Sequence, residues 1–316
     1  MEFHVERDVL LHSLTHIQGV VEKKNTLPIL SNVLIQATEE GLLVTATDMD
    51  MIISEKINAK VKVNGSTTTG AQALYDIVRK LPSTSQLNFA LKDETKLKLI
   101  SGMSDYELTC LSPNEFPILE DNIEEEPTVI GSKEFLKLLN KTKFAISNDE
   151  TRHYLNGIYL GCDQNDKSKL IAVATDGHRL CKTLIEVQDI KNFHSIILPK
   201  KTIFELLTIL GDDNKNLKII STKSKIKFVI DNIILISKVI DGKFPDYEKV
   251  IPTDERDEIK ADVIKFSNAL DRLRALSSDR KGVVKIKIEN NNITFNIKDI
   301  THGGGIEKIE ANYTGK

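Results

Sequence analysis

The tripeptide Ala-Thr-Asp stands at residues 46–48 and again at 174–176, and Phe-Pro stands at 116–117 and again at 244–245. Both recurrences are 128 positions apart. One offset shared by unrelated landmarks marks a duplication, and a duplication confines the fold to a unit packed against copies of itself. Each copy opens with an amphipathic helix, ERDVLLHSLTHIQGVV in the first and SKEFLKLLNKTKFAI in the second, and a third such helix, DVIKFSNALDRLRALS, covers 262–277. In the second helix Phe135, Leu138, Leu139 and Phe144 fall near one face and Lys137 and Lys141 on another; Ser132, with Glu134 after it, supplies a start signal. Alternating strands follow each helix: NVLIQATEEGLLVTATD, KLIAVATD, and VVKIKIENNNITFNIKD with a hairpin turn at ENNN.

The first two copies then add a second helix, AQALYDIVRKL or KKTIFELLTIL, and more strands. Each domain is thus two helix-plus-strands halves, an α+β plan of two helices packed on antiparallel sheets. Acidic joints near 119–128 and 252–259 place the domains at 1–122, 128–253 and 258–316, the third holding only the first half of the pattern.

Three cysteines, Cys110, Cys162 and Cys181, are an odd set without C-x-x-C spacing. They read as reduced, buried thiols of a cytoplasmic protein. The N-terminus lacks a signal-peptide core, and no apolar run approaches the roughly 18 residues of a membrane span. Net charge is −3, so any nucleic-acid-binding face must be local. Lys23, Lys24, Arg79, Lys80, Lys137, Lys141, Lys200 and Lys201 lie in or beside the expected helices. They either keep helix faces in water or, ranked by the repeat, sum to a surface that binds phosphates without reading sequence, in a salt-dependent way.

The segment ATDGHRL, 174–180, closes a strand with an acid and an imidazole. An acid–base or metal reading of Asp176 and His178 competes with a structural one. Asp48 matches Asp176 in the first copy with no His behind it, and a strand-end Asp that accepts local backbone N–H groups explains both. Gly177, His178, Arg179 and Leu180 then remain as an exposed recognition loop. The chain has no G-x-S-x-G, P-loop or G-x-G-x-x-G; HGGG at 302–305 reads as a flexible turn and IEEEP as a solvated linker. His12 and His16 have the i,i+4 spacing of two zinc ligands, but no third ligand follows in sequence, so neither a metal nor a cofactor is expected.

NTLPILSNVLI (25–35), RHYLNGIYL (152–160), ATDGHRL (174–180) and DGKFPDYEKVIP (241–252) together resemble the bacterial beta sliding clamps, the processivity subunits of DNA polymerase III. The resemblance covers the whole chain, and the family continues about half a domain beyond it. It implies a repeated clamp fold in a head-to-tail homodimer that closes a ring of similar domains around duplex DNA, without catalysis. Because the third domain is expected to be incomplete, this chain should be less stable than a full-length clamp. By position, the resemblance assigns a partner-peptide groove to Leu155, Thr175, Gly177, His178, Arg179 and Leu180, joined by Pro245, Lys249 and Val250. Partners would be the replicative polymerase, the clamp loader and repair proteins, through short linear motifs bound at about micromolar strength, or about −8 kcal/mol.

DNA contacts fall to Lys24, Arg152, His153, Tyr154, Lys200 and Lys201. Gln72-Ala73 stand where relatives often carry a basic pair, and Asp149 where a neutral polar residue is common. At the ring interface the resemblance sets Met103, Tyr106 and Leu108 against Ala275 and Leu276 of the other protomer. Two other classes compete: a metal-dependent hydrolase using Asp48, Asp50, Asp176 and His178, and a repeat scaffold that binds only proteins.

Overall fold

The computed structural model describes residues 1–22, 27–119, 121, 123, 125–163, 166–190, 192–211, 213–253, 257–276, 283–289, 291–299 and 302–313. One βαβββ unit recurs along it. It first appears as β1 (Glu2–Glu6), α1 (Arg7–Ile17), β2 (Asn32–Thr38), β3 (Gly41–Thr47) and β4 (Met51–Ile57). A short β5 (Lys60–Val63) precedes the next, made of β6 (Gly65–Gly70), α2 (Ala71–Lys80), β7 (Gln86–Asp93), β8 (Lys96–Ser101) and β9 (Ser104–Leu111). The second copy begins with β10 (Thr128–Gly131), α3 (Ser132–Thr142), β11 (Gly157–Cys162), β12 (Lys169–Thr175) and β13 (Leu180–Glu186). It ends with β14 (Ile196–Pro199), α4 (Lys200–Leu210), β15 (Asn216–Ser221), β16 (Lys225–Ile230) and β17 (Ile233–Lys238). The last unit is β18 (Ile259–Ala261), α5 (Val263–Arg274), β19 (Val284–Glu289), β20 (Asn292–Asp299) and β21 (Gly303–Tyr313).

By contacts the chain forms two compact units, residues 1–244 and 245–316. In the first, thirteen strands run β10-β15-β16-β17-β4-β3-β2-β6-β9-β8-β7-β1-β5, and four more run β13-β12-β11-β14. The seam between the copies is the antiparallel pairing of β17 with β4, from Ile233 opposite Glu55 to Ser237 opposite Met51. Continuous backbone hydrogen bonding across that seam makes the two copies one body. The helices form because their apolar residues recur every three or four positions: Leu10, Leu14 and Ile17 on α1, Ala71, Leu74 and Val78 on α2, Phe135, Leu138 and Leu139 on α3, all buried. α1 packs on α2 and α3 on α4, which places the repeated helices side by side. β12 is buried on both faces from Leu170 to Ala174, which accounts for its unbroken apolar run.

Several sequence expectations need correction. Phe144 lies beyond the end of α3 in a short 3₁₀ turn and is exposed, because the α-helical spacing that would turn it inward stops at Thr142. Ser132 does not cap α3: its hydroxyl donates to the Asp213 carbonyl at 2.7 Å and accepts from the Lys215 N–H at 2.9 Å, tying the helix start to the chain before β15. Gly303–Gly305 form the start of β21 instead of a free turn, and a Cβ on Gly305 would stand 2.9 Å from Leu273 Cδ2, so glycine lets α5 approach the strand. Only Cys110 of the three thiols is fully buried. The hairpin expected at ENNN, by contrast, is present: Glu289 stands opposite Asn292 across the antiparallel pair β19–β20, and residue 290 between them lies outside the described residues.

Glu205 on α4 is buried with its carboxyl against Gly19, where a Cβ would meet Oε1 at 2.0 Å. Burial pushes this carboxyl up to about 7; Asp48 adds to the rise, and Lys201 and His16 oppose it. A folded state that holds a proton the unfolded chain releases loses stability as pH rises between about 4.5 and 7. Glu205→Gln is therefore expected to stabilise the protein at pH 8 by about 1–2 kcal/mol, a value discounted for residual solvation, and to change little at pH 5. Urea denaturation at the two pH values measures this.

Candidate functional site: one turn built twice

The two Ala-Thr-Asp segments fold into the same turn. Asp176 Oδ1 accepts the N–H groups of His178 and Arg179 at 2.9 and 3.0 Å, and Asp48 Oδ1 accepts those of Asp50 and Met51 at 3.0 and 2.7 Å. The Thr175 hydroxyl donates to the Arg179 carbonyl at 2.8 Å and accepts from the Gly177 N–H; the Thr47 hydroxyl does the same with Met51 and Met49. The residue after each Asp is left-handed, Gly177 at φ +89° and Met49 at φ +75°. Local side-chain-to-backbone bonding thus builds both turns, as the strand-end Asp reading expected.

Their surroundings differ. In the first copy Lys201 of α4 closes over the turn, its Nζ 2.5 Å from Asp48 Oδ2 and 3.0 Å from the Val20 carbonyl. In the second copy the turn is open. Gly177, His178 and Arg179 are exposed and Leu180 is half-buried. The Arg179 Nε donates to Asp176 Oδ2 at 2.9 Å while its guanidinium carbon sits 5.4 Å from the centre of the Phe144 ring. The N–H donors of His178 and Arg179, with the Arg179 guanidinium, bring the Asp176 carboxyl down to about 2. An acid so strongly held as an anion, with every oxygen engaged, is a brace for the loop and a poor proton donor or base near neutral pH.

Arg152 reaches this loop from the other side: a Cβ on Gly177 would meet its Nη1 at 2.8 Å. Asp149 anchors Arg152 through an Oδ2–Nε bond of 2.8 Å. Leu155 is buried, His153 is exposed, and Tyr154 is half-buried. In the first unit, then, Thr175, Gly177, His178, Arg179 and Leu180 share one loop with Arg152 against it, and the structure adds Phe144, which spacing alone assigned to the core. Pro245, Lys249 and Val250 belong to the second unit; all three are exposed, and Lys249 pairs with Asp246 at 2.9 Å.

For the basic residues, Lys200 is half-exposed with its Nζ 2.5 Å from Asn148 Oδ1. Lys201 is committed to Asp48, and Lys24 lies outside the described residues. Met103 is fully exposed at the β8–β9 turn, Tyr106 is half-buried, and Leu108 packs into the core. Ala275 is exposed, and Leu276 rests on the core of the second unit. Asp48, Asp50, Asp176 and His178 form no convergent ligand cluster among the described residues. One such cluster does exist, at His12, His16 and Glu55, so the histidine pair has the third ligand that sequence spacing did not reveal.

Comparison with known proteins agrees with this architecture. The N-terminal, central and C-terminal domain families of the DNA polymerase III beta subunit match residues 1–120, 129–246 and 248–316. The beta sliding clamp of Caulobacter vibrioides strain NA1000 is 36% identical over 319 residues, covering 100% of this chain and 86% of its own length. A Pseudomonas aeruginosa relative is 29% identical, covering 100% of this chain and 85% of its own. Among solved structures, the C. crescentus beta sliding clamp superposes with a TM-score of 0.94 at 36% identity, covering 100% of this chain and 85% of that one. The clamp of Bartonella birtlesii, solved bound to griselimycin, gives 0.94 at 34% identity with the same coverage. With the same fold along its entire length, the chain belongs to the family of bacterial beta sliding clamps, the non-catalytic processivity subunits of DNA polymerase III.

Proposed function

We propose that this chain acts as a cytoplasmic sliding clamp that pairs head-to-tail with a second copy, encircles duplex DNA and captures DNA-processing proteins by short peptide segments. Repetition of one βαβββ unit supports the ring, because similar units placed by a constant rotation can close on themselves. The DNA-facing groups on this reading are Arg152, His153, Tyr154 and Lys200. Their contacts are sequence-independent and weak enough to permit sliding. Lys201 contributes less than its position suggests, since Asp48 already neutralises it. Met103, exposed at its turn, is the self-association residue best placed to meet a second copy.

The observation that carries the peptide-capture reading is the contrast between the two copies of the Ala-Thr-Asp turn. One is covered by Lys201; the other presents His178 and Arg179 beside an exposed aromatic ring. Griselimycin bound to the B. birtlesii clamp shows that a relative takes a ligand. In fluorescence anisotropy with a labelled peptide carrying apolar anchors, His178→Ala and Arg179→Ala are each expected to weaken binding about tenfold, or about 1.4 kcal/mol. The mass of the assembled protein should not change. Unaltered affinity in both variants would contradict the assignment.

A further inference from the structure

The function described so far makes no use of a buried acid under α1. β4 turns Met51, Ile53 and Ile57 into the core, and Glu55 occupies the same inward series at 3% exposure. A carboxylate at an apolar position must be compensated, since an unpaired buried charge is costly. His16, itself 6% exposed, places Nδ1 3.0 Å from Glu55 Oε2. Asn232, from the turn before β17, donates to Glu55 Oε1 at 3.4 Å and to the Lys56 carbonyl at 2.7 Å. That contact needs one imidazole, yet two are present: the His12 ring, one helical turn before, stands edge-on to His16 with centroids 4.4 Å apart.

We propose that His12, His16 and Glu55 form a divalent-metal site of the zinc class at the seam between the first two copies. Their donor atoms lie within 4.8 Å of one another. Tetrahedral zinc with bonds of about 2.0–2.2 Å sets its ligands roughly 3.4 Å apart, so a pair separated by up to 4.8 Å must close by at most about 1.4 Å. The exposed His12 can supply that movement by a small side-chain rotation. Two nitrogens and one carboxylate oxygen select zinc and neighbouring transition metals over magnesium or calcium, which prefer oxygen.

The site opens on a cavity of about 670 Å³, which gives an ion its route and leaves room for water as a fourth ligand. Asn232 holds the remaining carboxylate oxygen, as outer partners of metal ligands do. Asp8, Lys56, Asp213, Lys215 and Asp231 also line the cavity, and Lys215 is occupied by Asp231 at 3.0 Å. Glu55 lies on β4 and Asn232 precedes β17, so a bound ion would brace the strand pair that fuses the copies.

The test is titration of the metal-free full chain with Zn²⁺ against a chromophoric chelator, in parallel with thermal unfolding. One zinc per chain is expected, with melting raised by several degrees and reversed by EDTA. His12→Ala, at an exposed position that leaves the core intact, should weaken binding at least about tenfold and abolish the melting shift. Co²⁺ should give tetrahedral visible bands without thiolate charge transfer. Absence of stoichiometric binding would overturn the proposal. So would equal binding by His12→Ala, or thiolate bands that place the ion on a cysteine.

Discussion

Asp48→Ala is expected to destabilise the first unit by about 2–3 kcal/mol, far more than the same change at Asp176. The two carboxylates do equal work within their turns, each accepting two backbone N–H groups. Their partners differ. The Asp48 side chain is 6% exposed and bound to Lys201 across 153 positions of sequence, whereas Asp176 holds Arg179 three residues away at the surface. Removing one member of a buried ion pair costs about 3–5 kcal/mol, and Lys201 keeps enough contact with water to lower that figure. The exposed pair at Asp176 is worth at most about 1 kcal/mol. Urea denaturation of both variants, with Lys201→Met completing a double-mutant cycle, separates the ion pair from the turn. Equal small losses at Asp48 and Asp176 would show that Lys201 does not lock the copies together.

Phe295→Ala should be the most damaging change in residues 245–316. Phe295 is wholly buried, with the Phe266 ring edge-on at 4.9 Å, in a core whose other buried members are Ala269, Leu273, Ile293, Ile297, Ile309 and Ala311. Deleting a buried phenyl ring costs about 3–5 kcal/mol, and so small a core has little to spare. Hydrogen exchange read by mass spectrometry is expected to show β20 and β21 losing protection while β2, β3 and β4 keep theirs. Loss of protection in both units together would mean that they unfold as one body. Retained protection in both would mean that the ring contributes little.

What the sequence made legible was local or periodic. The helix-plus-strands halves followed from helical and alternating patterns and from the repeat itself, whereas the short strand that precedes each helix and makes the unit βαβββ did not. The Ala-Thr-Asp turn followed from the way an Asp side chain bonds backbone within three residues. Long-range pairings were not legible. Nothing in KKTIFELL announces that Lys201 neutralises Asp48, and nothing near His12 and His16 points to Glu55, 39 residues beyond His16. The one available signal was Glu55 itself, an acid at an inward position of the strand MIISEKI. Phe144 escaped for the opposite reason: its spacing looked helical, but the helix had already ended. The residues flanking Arg152 were found by resemblance, and only the structure shows that Asp149 tethers it.

The clamp reading is tested most directly by retention on nicked circular DNA at high salt, after incubation with a clamp loader, before and after the circle is linearised. High salt removes phosphate contacts, so only topology can hold the protein in place. The expected result is protein that stays on the circle and is lost once an end is cut. Loss from both forms, or equal retention on both, would contradict encirclement.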